Sequence, residues 1–163
     1  MHNKNLYIRF PFPQMKREET IDYHIRAAWH AIARMYNQKA SNHGATMAIG
    51  FVLLNIDVEE GTPATKIAPL MGLEARSLTR LLKALEEKGA IYRQVDANDK
   101  RCVRIFLTEE GKKGREQAKE TVLRFNEVVR EEISAEKLET FFEVIQNINK
   151  ILERNNIYEK TYH

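Results

Sequence analysis

Cysteine is nearly missing from this sequence: Cys102 is alone in 163 residues. One thiol excludes an intrachain disulfide and a cysteine-rich zinc site, and points to a reducing compartment. Proline (4) and glycine (7) are also scarce, which disfavours an all-β chain with frequent turns and a long disordered tract. No stretch approaches the roughly 20 apolar residues of a membrane span. The opening segment MHNKNLYIRFPFPQ lacks the apolar core of a signal peptide. The expectation is a soluble, cytoplasmic protein with no membrane contact.

Catalytic signatures are missing as well. There is no H-E-x-x-H and no G-x-S-x-G, and Gly111-Lys112-Lys113-Gly114 lacks the spacing of a phosphate loop. The carboxylate pairs Glu59-Glu60, Glu86-Glu87 and Glu131-Glu132 stand in polar stretches and read as solvated faces. His24 and His30 are six residues apart, so they do not share a helix face and make a poor metal pair. Neither an enzyme, nor a metal site, nor a bound cofactor is expected.

What is present is charge, unevenly spread. Lys plus Arg number 26 and Asp plus Glu 23, a net +3. Residues 62–108 carry nine basic and five acidic side chains, a local +4, while residues 1–61 are at +1 and residues 109–163 at −2. A basic centre between near-neutral flanks is the footprint of an anionic partner.

Hydrophobic spacing supplies the elements. Residues 1–13 alternate Tyr7, Phe10 and Phe12 with Pro11 and Pro13, as in an extended arm. Ile21, Ile25, Ala28, Ile32 and Met35 follow helical spacing, broken at Asn42-His43-Gly44. Ala45 to Val58 is apolar nearly all round and reads as a buried helix ending at Glu59-Glu60-Gly61. Thr62-Pro63 reads as an N-cap followed by a first-turn proline, opening a short helix with Ile67, Ala68, Leu70 and Met71. After a turn at Gly72, Glu74 to Lys88 forms a helix with Leu78, Leu81, Leu82 and Leu85 inward and Gly89 at its end.

Residues 90–95 and 102–107 are β-branched and aromatic, separated by the polar run 96–101, which predicts a hairpin. Thr108 caps a long helix with Glu109 and Glu110 in its first turn; Gly111 and Gly114 weaken its start. Ser134 resets the cap for a last helix with Leu138, Phe141, Ile145, Ile148 and Leu152 as its seam. Paired short helices around a glycine turn, followed by a hairpin, predict a mainly α chain with a small β-hairpin wing, a winged helix-turn-helix. The division is an N-terminal arm (1–13), N-terminal helices (14–58), the winged lobe (59–108), C-terminal helices (109–155) and a tail (156–163).

In such a lobe the second helix enters the major groove of double-stranded DNA. Arg76, Arg80 and Lys83 form an outward stripe beside Ser77 and Thr79; Arg and Lys can donate to guanine or phosphate, and the hydroxyls can reach phosphate or base edges. An ordinary solvated face would carry the same spacing. At the hairpin tip, Lys100 and Arg101 suit a narrow minor groove. Asp96 and Asp99 would repel phosphate and are expected to brace the wing through Asx turns and to orient Arg101; the plainer alternative is a surface Asp99–Arg101 ion pair.

These segments resemble the MarR family of bacterial transcription regulators. The resemblance rests on Ser77-Leu78-Thr79-Arg80-Leu81-Leu82 running into Leu85-Glu86-Glu87-Lys88-Gly89, on the D-x-x-D-x-R pattern of Asp96, Asp99 and Arg101, and on Leu107-Thr108-Glu109-Glu110-Gly111. It covers residues 15–155. It implies a homodimer joined by N- and C-terminal dimerisation helices, each subunit presenting one winged lobe to half of a pseudo-palindromic operator, most simply as a repressor. It also implies a small anionic or aromatic ligand, for which Arg26, Trp29, His30, Ala33, Phe51 and Leu54 are the candidate lining. The N-terminal cysteine of redox-sensing members is absent, and Cys102 at the second wing strand reads either as a strand residue or as a thiol switch. An adaptor that has kept the winged fold without DNA binding is the remaining alternative.

Overall fold

The computed structural model describes residues 15–96 and 99–154. The proposed arm and tail lie outside the described residues. The chain forms two compact units, Met1–Lys119 and Glu120–His163.

In the first unit, a single 3-10 turn at Arg17–Glu19 leads into helix α1 (Ile21–Ser41). Gly44, at φ +63°, turns the chain into α2 (Met47–Leu54). Thr46 caps α2 by accepting from the Ile49 N–H (3.3 Å), while the Asn37 side-chain oxygen accepts from the Met47 N–H (2.9 Å). Two of the orphan donors of the first turn are thereby satisfied. α2 is shorter than the apolar run predicts, because Asn55 leaves helical geometry. Its buried Val52 and Leu53 begin the core.

The expected cap at Thr62 is a correction. Thr62–Pro63 form a strand, β1, antiparallel to β3 (Val103–Leu107), with Thr62 opposite Ile105. The Thr62 hydroxyl donates to the Asn55 carbonyl (3.3 Å) and accepts from the Asp57 N–H (2.9 Å). It ties down the preceding loop instead of a helix end, and Pro63 becomes the N-cap residue of α3 (Ala64–Leu70). Gly61 is required here: a Cβ would fall 2.7 Å from the Ile105 carbonyl oxygen.

Helix α4 (Ala75–Glu87) follows a turn in which Gly72 stands at φ +61°. Its leucines obey the predicted stripe: Leu78, Leu82 and Leu85 are buried and Leu81 packs beside them. Gly89, at φ +68°, ends the helix in the left-handed conformation that glycine tolerates best. Strand β2 (Ile91–Val95) pairs with β3, placing Ile91 opposite Leu107 and Val95 opposite Val103. The sheet order is β1-β3-β2. Ile56, Ile67, Ala68, the three leucines, Ala90, Ile91, Ile105 and Leu107 close one core with α2. Each large aliphatic side chain contributes roughly 1.5–3 kcal/mol by leaving water.

Helix α5 (Glu109–Glu132) starts where expected, and the Thr108 hydroxyl accepts from the Gly111 N–H (3.1 Å). The glycines read as weak points have a packing role. A Cβ at Gly111 would lie 1.9 Å from the Ala90 carbonyl oxygen, and one at Gly114 would lie 3.0 Å from a Leu53 methyl. Their bareness lets α5 lie against the sheet and α2.

In the second unit α5 ends at Glu132 and α6 runs Ala135–Glu153. Ser134 is its N-cap residue in extended geometry, without a side-chain cap bond. Leu138 is buried; Phe141, Phe142, Val144, Ile151 and Leu152 are exposed.

Candidate nucleic-acid interface

The inward leucines of α4 dictate what faces outward. Burying Leu78, Leu82 and Leu85 turns Arg76, Ser77, Thr79, Arg80 and Lys83 to solvent, and all five are exposed. Among the described residues no ion pair or side-chain hydrogen bond engages Arg76, Ser77 or Arg80. Their donors are open to an incoming acceptor. The Thr79 hydroxyl donates back to the Ala75 carbonyl (2.9 Å), so in this rotamer it can only accept. Lys83 lies 3.8 Å from Glu87, both exposed, a contact worth under about 1 kcal/mol that phosphate can displace.

The acids of α4 stand at its far end. Glu86 is engaged by Arg93 of β2, Nε to Oε2 at 3.0 Å. The first two turns of the helix are therefore free of acidic side chains, since Glu74 precedes its first residue.

The wing is braced through its backbone and its root. Asp96 accepts from the Asp99 N–H (3.1 Å), and Asp99 from the Arg101 N–H (3.0 Å). Asp99 thus orients the Arg101 main chain; neither bond is to the Arg101 guanidinium. The Asp96 carboxylate instead pairs with Arg104, 2.9 Å from Nε, with both side chains largely buried. Two backbone bonds, from the Asp96 N–H to the Cys102 carbonyl and from the Cys102 N–H to the Asp99 carbonyl, close the turn. Lys100 and Arg101 are exposed at the tip; Cys102 is half-buried.

Sequence reasoning counted Arg93 and Arg104 only as charge. Their partners could have been found: Glu86 lies one helix turn before the glycine that reverses the chain toward Arg93, and Arg104 faces Gln94 in the register, two positions from Asp96. Below the wing, the Asp57 carboxylate accepts from the N–H groups of Glu59 (2.9 Å) and Glu60 (2.7 Å). The bonds from Glu60 and Glu59 hold its pKa below the ordinary carboxylate range, with Arg115 and Arg104 adding to the effect.

The candidate ligand residues are divided. Ala33, Phe51 and Leu54 are half-buried, and Phe51 meets the buried Tyr36 edge to face at 5.8 Å. Burial raises the Tyr36 phenol above its usual value. Arg26, Trp29 and His30 are exposed, and the Arg26 guanidinium leans toward Asp22 at 3.9 Å. Among the described residues no group of three or more His, Cys, Asp or Glu side chains could hold a metal ion, and no helix is long and apolar enough to cross a membrane.

A leucine-backed helix after a glycine turn, set beside a short three-stranded sheet, defines a winged helix-turn-helix protein. The sequence profile of the MarR family matches residues 46–103. The HTH-type transcriptional regulator TtmR of Methylorubrum extorquens (strain PA1) is 39% identical over 88 residues, 54% of this chain and 45% of that protein's length. The matched stretch thus spans less than half of that curated relative. The S. aureus MepR–DNA complex superposes with a TM-score of 0.71 at 27% identity, over 83% of this chain and 98% of that one. The transcriptional regulator SlyA gives 0.73 at 25%, over 86% and 99%. Residues 46–103 thus match the MarR family, and TtmR and SlyA, to which parts of this chain are similar, are transcriptional regulators.

Proposed function

We propose that the protein is a sequence-specific double-stranded DNA-binding regulator, acting in the cytoplasm as a homodimeric repressor on a pseudo-palindromic operator. The observation that carries this reading is the exposed Arg76–Ser77–Thr79–Arg80–Lys83 face of α4, together with the exposed Lys100 and Arg101 on the wing. The first set is shaped for base edges and phosphates in the major groove, the second for the narrow, electronegative minor groove. A solved relative at 27% identity holds DNA, which supports the same use of the fold. Residues 59–108 are then the DNA lobe, and residues 14–58 and 109–155 supply dimerisation and lobe packing.

The dimer rests on the apolar residues left exposed on α6, Phe141, Phe142, Val144, Ile151 and Leu152, and on those of α1, Ile21, Ile25 and Trp29. Large apolar side chains left exposed along a helix mark an interaction face. A small anionic or aromatic ligand would use Arg26, Trp29, His30, Ala33, Phe51 and Leu54, and its binding would release the operator.

Selection of bound duplexes from a random pool tests the reading. The expected product is an inverted repeat with half-sites about one helical turn apart. A pool that enriches no sequence overturns it in favour of an adaptor that lacks DNA binding.

A further inference from the structure

The C-terminal end of α4 is bonded on every side. Glu86 holds Arg93 of β2 at 3.0 Å. The Gly89 carbonyl accepts from the Thr108 hydroxyl (2.6 Å), and the Ala90 carbonyl from the Thr108 N–H (3.0 Å). Gly111 presses on that same Ala90 carbonyl. The fourth tie is the longest in sequence: the Lys88 ammonium donates to the carbonyl of Gly44, 44 residues away, at 2.8 Å.

These ties differ in what their loss would do. The Thr108 and Gly111 contacts close the joint between sheet and α5, where Ala90 and Gly111 are buried. The Lys88 bond is exposed. It reaches the turn between α1 and α2, the two helices that carry all the ligand candidates. Gly44 is held there by its own bonds: its N–H donates to the Ser41 carbonyl (3.0 Å), and the Ala45 N–H to the Ala40 carbonyl (3.1 Å). An acceptor fixed on one element and a cation at the end of another make an anchor. A lysine at a helix C-terminus is favoured by the helix dipole alone, but the dipole requires no particular distant carbonyl.

We propose that Lys88 is a positioning residue: by anchoring the end of α4 to the Gly44 carbonyl it sets the angle at which α4 meets an operator, and makes that angle respond to the α1–α2 turn. The proposal rests on the DNA-binding reading above. It predicts that Lys88 governs discrimination between operator and unrelated duplex without being a contact to DNA.

The test uses the full chain with Lys88→Met, which keeps the stem, and Lys88→Arg, which keeps a donor. Binding to the selected operator and to unrelated duplex is measured over a salt series, at a temperature where circular dichroism shows every variant folded. Expected is an about tenfold loss of operator affinity for Lys88→Met. Its affinity for unrelated duplex and its salt slope should stay those of the wild type, and Lys88→Arg should recover the operator affinity. If operator and unrelated duplex weaken together and the slope falls by about one, Lys88 is a phosphate contact and the proposal is overturned. Unchanged operator affinity for Lys88→Met overturns it too, and leaves the DNA reading standing. A wild-type chain that binds no duplex at all removes the DNA reading first and this proposal with it.

Discussion

The winged lobe and the C-terminal unit spend their apolar residues in opposite ways. From Val52 to Leu107 the aliphatic side chains of the core cluster meet one another, and Ile105 on the central strand has no exposed surface. In the second unit Leu138 is 7% exposed, whereas Phe141 and Leu152 are 55% and 56% exposed. The lobe completes its core within one chain. Helix α6 carries apolar residues that its own unit leaves exposed. The open seam of the second unit is what supports the proposed dimer.

The contrast can be broken most forcefully inside the lobe. Ile105→Ala should destabilise the protein by about 2–5 kcal/mol, read as a fall in the urea midpoint at unchanged slope, and the fall should not depend on protein concentration. The second unit should behave otherwise. Phe141→Ala with Phe142→Ala should weaken self-association by about 2 kcal/mol or more, roughly thirtyfold, seen by sedimentation or light scattering. A wild-type chain that stays at 19.0 kDa at tens of micromolar would end the dimer reading.

Arg80→Ala sharpens the contrast from the surface. It should cost about 1–3 kcal/mol of operator binding and leave the melting temperature alone, because Arg80 supports no fold contact among the described residues. Operator binding equal to the wild type would remove Arg80 from the interface. The smallest effect belongs to Asp57. Its folded pKa is lowered by the Glu60 and Glu59 N–H groups, so its contribution is complete above the ordinary carboxylate range and is lost as pH falls through the lowered value. Asp57→Asn should therefore flatten the acid limb of a stability–pH curve slightly and change nothing at neutral pH beyond the loss of that increment.

Much of the lobe was legible because its helices repeat a period. Leu78, Leu82 and Leu85 announce both the buried side of α4 and, by exclusion, its basic side. The turns at Gly72 and Gly89 were legible because glycine marks left-handed backbone. What stayed hidden was set by chain segments distant in sequence. Thr62-Pro63 has the local signature of a helix start, yet the neighbouring β3 backbone recruits it as a strand. Gly111 reads as a helix defect until Ala90 is placed against it. Asp96 was expected to serve Arg101, three residues closer in sequence than its actual partner Arg104, because the strand register decides which side chain returns to the wing root.

Strand β1 has one more consequence. A short sheet presents unpaired backbone at its margins, and such margins can recruit a strand from another molecule. On one margin this sheet includes Pro63, which has no N–H to offer a further strand. The same residue that disguised the strand as a helix start removes from that margin a donor that a further strand would need.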